Sequence, residues 1–185
     1  MANKIRPDDC VFIVIDIQER AVPIQDDSAF VIDNLTRLMK GARRFDIPVI
    51  IAEQNPSKLG RTPAPILAQI DDYEQYHYVS KRYMSCLKDP DCKKILDSLG
   101  KKQLVLAGTE THICVLMTTI DALNQGYEVF VLGDGTTSRR AYNRELGLRR
   151  MENDGAVIAS TESVLFEMTE RSDECEFFDV LKIIK

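Results

Sequence analysis

The sequence is short of most signals that would assign it quickly. Only two of its 185 residues are histidine, His77 and His112, and they form no HxH, HExxH or DxH spacing. No metal site is therefore expected. The five cysteines, Cys10, Cys86, Cys92, Cys114 and Cys175, are odd in number and contain no CxxC pair. That excludes a disulfide framework and implies a reduced, cytoplasmic setting. The start, MANKIRPDDC, has no apolar signal core, and the run Val11–Ile15 is far below the ~18 residues of a membrane span. A membrane partner is not expected. Gly108, Gly133 and Gly135 make neither GxGxxG nor a P-loop, so no nucleotide cofactor is expected. With a formal net charge of -5, the chain lacks the basic face that a nucleic-acid partner requires.

What is present is a globular composition, 44% hydrophobic and 29% charged, sufficient for one domain over residues 1–185 without staples. Short apolar runs recur at Cys10–Ile15, 48–52, 76–79, 103–107, 128–132 and 156–159. Unbroken apolar runs bounded by turn residues fit strands buried on both faces. Helical patterns lie between them, over 29–45, 112–125, 140–153, 161–170 and 174–184. The alternation predicts a three-layer α/β/α domain with a Rossmann-like, mostly parallel, six-stranded sheet. The stretch Gln54–Pro65, rich in Pro and Gly, reads as a long surface loop.

Ligands of such sheets collect beyond the carboxyl ends of the strands. Asp16 and Glu53 end the first two runs, Lys81 follows the third, and Gly108–Cys114 follows the fourth. Asp16 could act as a base, or could simply cap a turn. Cys114 opens a helix, where the dipole would favour its thiolate, yet it could equally be a small buried hydrophobe. Lys81 could hold developing charge, or lie in solvent. His112, two residues before Cys114, points to a different helix face and makes a poor partner for it.

Three segments in order, VFIVIDIQ, SKRYMSCL and GTETHICVLMTTIDAL, resemble the isochorismatase-like cysteine hydrolases, which include nicotinamidases and N-carbamoylsarcosine amidase. The resemblance continues through GDGTTSRRAYNRELGLRRMENDGAVIASTESVLFEM and is nearest to isochorismatase-domain proteins of unassigned substrate. It implies a catalytic triad of Asp16, Lys81 and Cys114. It implies a cis peptide between Thr109 and Glu110, and an oxyanion hole from the backbone N–H groups of Glu110 and Cys114. Met84 stands where relatives commonly carry an aromatic residue. Nicotinamidases carry zinc ligands after the second strand, where this chain reads Ala52-Glu53-Gln54-Asn55 without histidine. A thiol at position 114 points to hydrolysis of an amide or carbamoyl C–N bond rather than vinyl-ether cleavage.

The pocket for a small-molecule substrate is expected from Ile17, Gln18, Pro23, Gln54, Leu59 and the segment Tyr83–Leu87, which includes Met84. The resemblance also implies a homo-oligomer; the apolar faces at Val164, Leu165, Phe166, Phe177, Phe178 and Leu181 either make that contact or cover this chain's own sheet. The alternative functional class is a non-catalytic binding or scaffold protein that keeps the fold. A redox role for Cys114 would want a resolving cysteine, and none lies near it in sequence.

Overall fold

A computed structural model describes residues 4–185. The apolar runs form β1 (Cys10–Ile15), β2 (Val49–Gln54), β3 (Tyr76–Lys81), β4 (Gln103–Thr109), β5 (Glu128–Thr137) and β6 (Val157–Ala159). They make one sheet in the order β3-β2-β1-β4-β5-β6. Every neighbouring pair is parallel. All residues of β1 and β4 are buried, which is why these central strands read as unbroken apolar runs.

The helices are α1 (Ser28–Arg44), α2 (Pro56–Leu59), α3 (Ala64–Leu67), α4 (Pro90–Leu99), α5 (Leu116–Asn124), α6 (Ala141–Asn153), α7 (Thr161–Glu167) and α8 (Cys175–Ile184). Successive side chains of a strand face opposite ways. Cys10, Phe12 and Val14 of β1 therefore enter the core that also holds Leu35 and Leu38 of α1 and Val164 of α7. Val11, Ile13 and Ile15 enter the core with Leu96 of α4 and Ala122 of α5. The architecture is the expected three-layer α/β/α sandwich. The strand order reverses between β1 and β4, which places a crevice at their carboxyl ends.

Several boundaries differ from the sequence reading. Strand β3 runs on to Lys81, and β5 extends to Thr137 after a register shift opposite Leu106 and Gly108. Helix α4 was not anticipated, although its punctuation is complete: the Asp89 side chain accepts from the Asp91 and Cys92 N–H groups, Pro90 opens the helix and Gly100 closes it at φ 65°. The stretch 54–65 is not a simple loop, since it contains α2 and the start of α3. The helix expected over 161–170 ends at Glu167. Val164 and Leu165, taken as oligomer-contact candidates, are buried in this chain's own cores, whereas Phe178 is exposed.

Candidate active site

Three strand ends bring the chemistry together. Asp16 follows β1 with φ 54°, a left-handed conformation that aspartate tolerates better than most residues. Its N–H donates to the Ala52 carbonyl at 2.8 Å. The positive φ shifts the strand alternation by one, so Ile17 joins Phe12 and Val14 in the core under α1. Beside it, Gly108 adopts φ 126°, and a Cβ there would lie 2.0 Å from the Ile15 carbonyl oxygen. Only glycine lets β4 approach Asp16 this closely.

Lys81, the last residue of β3, is completely buried and reaches past β2 to Asp16. Its Nζ stands 2.7 Å from Asp16 Oδ2. It also donates to Gln54 Oε1 at 2.7 Å and to the Tyr83 carbonyl at 3.2 Å. An ammonium has three N–H donors, so all of Lys81's are committed. Asp16 Oδ1, in contrast, is buried with no partner at ordinary hydrogen-bond distance, although the Cys114 thiol and the Gln54 N–H are near enough to act on the carboxylate.

The nucleophile candidate lies on the turn between β4 and α5. Residues Thr111–Val115 form a π-helical turn, and α5 proper begins at Leu116. The N–H groups on either side of Cys114, from Ile113 and Val115, both donate to the Glu110 carbonyl, at 2.9 and 3.4 Å. The Thr111 hydroxyl ties the turn to the Thr137 carbonyl at 2.9 Å. The Thr109–Glu110 peptide is cis. Cys114 Sγ lies 3.8 Å from Met84 Sδ.

The three groups shift one another. Burial raises the Asp16 carboxyl above its ordinary range, against the opposing pull of Lys81. Burial alone would lower the Lys81 ammonium, but the adjacent Asp16, with Cys114, outweighs it and leaves it raised. Burial, then the Asp16 charge, push the Cys114 thiol up to about 12. The expectation of an easily formed thiolate at a helix start is thus corrected for the resting protein. The regular helix starts two residues beyond Cys114, and burial with a neighbouring carboxylate outweighs Lys81 and the dipole.

Asp16 and Cys114 line a cavity of about 300 Å³ together with Gln54, Leu59, Met84 and Arg139. Of the expected lining, Gln54, Leu59 and Met84 are there, and Ile17, Gln18, Pro23 and Tyr83 are not. Gln18 is a buried brace instead: its Nε2 donates to the Gly60 carbonyl at 2.7 Å and its Oε1 accepts from the Gln54 N–H at 2.9 Å. Tyr83 holds Lys81 through its backbone, and its side chain lines a neighbouring hollow. A larger hollow of about 600 Å³ is lined by Gln54, Asn55, Ser57, Ser80 and Arg82 as well as Lys81, and contains no cysteine.

Arg139 was missed in the sequence. Its Nε donates to Glu110 Oε1 at 2.9 Å and its backbone N–H to Glu110 Oε2 at 3.1 Å, which fixes it at the cavity wall. The signal available was its position just past β5, the same rule that found Asp16. Glu53, where the zinc ligands of nicotinamidases would fall, accepts from the Thr62 N–H and hydroxyl, Arg61 and Tyr78. Among the described residues, no group of three or more His, Cys, Asp or Glu side chains is placed to hold a metal ion.

The isochorismatase domain family profile matches residues 10–163. The chain belongs to the isochorismatase family. It is a hydrolase of that family by fold and sequence. It is 32% identical to the secreted isochorismatase effector Isc1 of Phytophthora sojae, over 99% of this chain and 88% of that protein. It is also 32% identical to isochorismatase domain-containing protein 1 of Danio rerio, over 99% of this chain, but spans only 63% of that longer protein. Among solved structures, the MAR1 ribonuclease of Caenorhabditis elegans superposes with a TM-score of 0.91 at 30% identity, covering 98% of this chain and 92% of that one. The YcaC gene product of Escherichia coli, described as an octameric hydrolase of unknown specificity, shares the fold with a TM-score of 0.90 at 22% identity, over 99% and 91% of the two chains. No helix among the described residues is long and apolar enough to cross a membrane.

Proposed function

We propose that this isochorismatase-family domain is a cysteine-dependent hydrolase of small amide or carbamoyl C–N bonds, acting through a thioester on Cys114. One observation carries the reading. The Asp16–Lys81 ion pair, 2.7 Å long, leaves the second Asp16 oxygen without a partner at ordinary hydrogen-bond distance, and the Cys114 thiol, which lines the same cavity as Asp16, is a donor close enough to interact with that carboxylate. A bare buried carboxylate oxygen costs stability, and a general base for a thiol needs such an acceptor.

Asp16 takes the Cys114 proton as sulfur attacks the carbonyl carbon and the C–O π pair moves to oxygen. The N–H groups of Glu110 and Cys114 receive the oxyanion. The oxyanion collapses, the C–N bond breaks and the amine departs with the proton from Asp16. Water, deprotonated by Asp16, attacks the thioester, and the thiol regains its proton as the acid leaves. Lys81 touches no substrate in this scheme. It keeps Asp16 ionised and oriented, because its three donors are already committed. With the thiol at about 12, proton transfer accompanies attack rather than preceding it.

The domain is read as one unit working in a reduced, cytoplasmic setting, supported by the free state of all five cysteines. It is also read as a homo-oligomer, supported by exposed Tyr142 and Phe178 and by the octameric description of E. coli YcaC. A monomeric mass by light scattering at micromolar concentration would remove that part of the reading.

The test is the iodoacetamide labelling rate of each cysteine against pH, read by mass spectrometry, in wild type and Asp16→Asn. Cys114 is expected to label fastest near neutral pH, with an acid limb that Asp16→Asn abolishes. Labelling no faster than that of the other cysteines, the exposed Cys175 included, would favour the scaffold alternative.

A further inference from the structure

The cavity over Cys114 does not end at Met84. On the other side of this side chain lies a second cavity of about 270 Å³, lined by Tyr83, Met84, Ser85, Lys88, Met117, Ile120 and Asp121. Met84 is the wall common to both. Its sulfur lies 3.8 Å from the thiol, yet the residue is 47% exposed. It is therefore a partition with little packed behind it, and methionine is the side chain best able to swing aside.

The opposite wall is continuous as well. Ile113 lines the first cavity, and Met117 and Ile120 line the second. Met117 and Ile120, three apart, share one face of α5, and Ile113 on the preceding π-helical turn lies beside the thiol, so apolar residues continue from the thiol onto α5. Tyr83 and Met117 are 50% and 44% exposed, more than side chains of this kind need be unless something covers them. The backbone under the near wall is pinned, because the Tyr83 carbonyl accepts from Lys81. Two of the polar groups, Lys88 Nζ and Asp121 Oδ1, lie 3.7 Å apart and pair with each other. The first cavity alone sits at the low end of the ~300–1,000 Å³ range of small-molecule sites, and the two joined lie well inside it.

We propose that the Tyr83–Met84–Met117–Ile120 groove is a second substrate subsite, which takes an apolar chain or ring attached to the scissile amide once Met84 turns aside. The occupant is part of the substrate because the Met84 side chain, its sulfur 3.8 Å from the thiol, is the wall between the groove and the reacting group. This proposal rests on Cys114 being the nucleophile and adds the class of substrate: an amide carrying an extended hydrophobic group.

The probes are chloroacetamide and its N-butyl and N-octyl derivatives, whose carbon is attacked by Cys114 sulfur as chloride leaves and the thiol proton passes to Asp16. Rate constants are divided by those for glutathione to remove intrinsic reactivity. Each buried methylene favours reaction by about fourfold, so burial of three or more is expected to raise the octyl-to-parent ratio at least tenfold. Met117→Trp, which fills the groove from an exposed position, is expected to cut that ratio several-fold, and Met84→Ala to raise the rate for all long reagents. A ratio near one in the wild type overturns the subsite. So does a ratio that Met117→Trp leaves unchanged. If Met117→Trp instead lowers the oligomer mass while the ratio stays near one, the groove belongs to a second copy and the subsite is likewise overturned. Failure of Cys114 to label with chloroacetamide itself would overturn the nucleophile assignment instead, a different result.

Discussion

Two buried carboxylates end neighbouring strands of this sheet, and they have opposite surroundings. Glu53 of β2 is wholly buried, and both of its oxygens are satisfied, by Thr62, Arg61 and Tyr78. It ties the chain around residue 62 to the sheet. Asp16, after β1, has one oxygen on Lys81 and the other without a close partner, with the Cys114 thiol as its neighbour. A saturated carboxylate has no lone pair to spare for a proton in transit, whereas a half-satisfied one does. Satisfaction, rather than burial, separates the brace from the candidate base.

The comparison can be broken most decisively through turnover. On any amide that the protein hydrolyses, Asp16→Asn should slow kcat by about 10²–10⁴-fold, the ordinary worth of a general base. Glu53→Gln should leave kcat within about tenfold, since it acts through the fold. Equal losses would erase the distinction. Next in size is Lys81→Met. Removing one partner of a buried ion pair costs about 3–5 kcal/mol, because Asp16 is left charged and alone. Urea unfolding should show that loss, and adding Asp16→Asn should recover part of it. Glu53→Gln should cost about 1–3 kcal/mol by the same measurement, as donors from Arg61 and Thr62 lose a charged acceptor.

The smallest effect is in pH. Asp16 holds its proton more tightly folded than unfolded, because burial raises its carboxyl above the ordinary range. Its contribution to stability is therefore complete below the unfolded value of about 3.9 and is lost as pH rises through the raised folded value. The unfolding free energy of the wild type relative to Asp16→Asn should fall as pH climbs out of the acid range. The Cys114 labelling rate should move the other way and rise as Asp16 ionises.

Much of the frame was legible because burial leaves a mark on sequence. CVFIVI and QLVLA are unbroken because their strands are covered on both faces. The strand-end rule then raised Asp16, Glu53, Lys81 and Cys114, and the family resemblance implied the triad among them. The pocket was less legible, since backbone conformations that sequence does not display decide which neighbours face inward. The positive φ at Asp16 sends Ile17 into the core, and Gln18 is consumed by Gly60 and Gln54. Helix α4 carried its signals in full, Asp89-Pro90 at one end and Gly100 at the other, but its apolar face is narrow: Cys92, Ile95, Leu96 and Leu99. The rise of the thiol to about 12 was beyond sequence, because it depends on how deeply Cys114 sits and how near Asp16 comes.

The burial of Lys81 also gives the protein an internal indicator. A lysine with no exposed surface, and with every N–H engaged, is closed to amine-reactive reagents as long as the native site holds. Lys58, Lys88, Lys93 and the other accessible lysines would acylate within the first minutes of exposure to a succinimidyl ester, and position 81 would stay silent. Its appearance in a peptide map would date the loss of the folded site, in a crude lysate as well as in a purified sample, before any substrate is known.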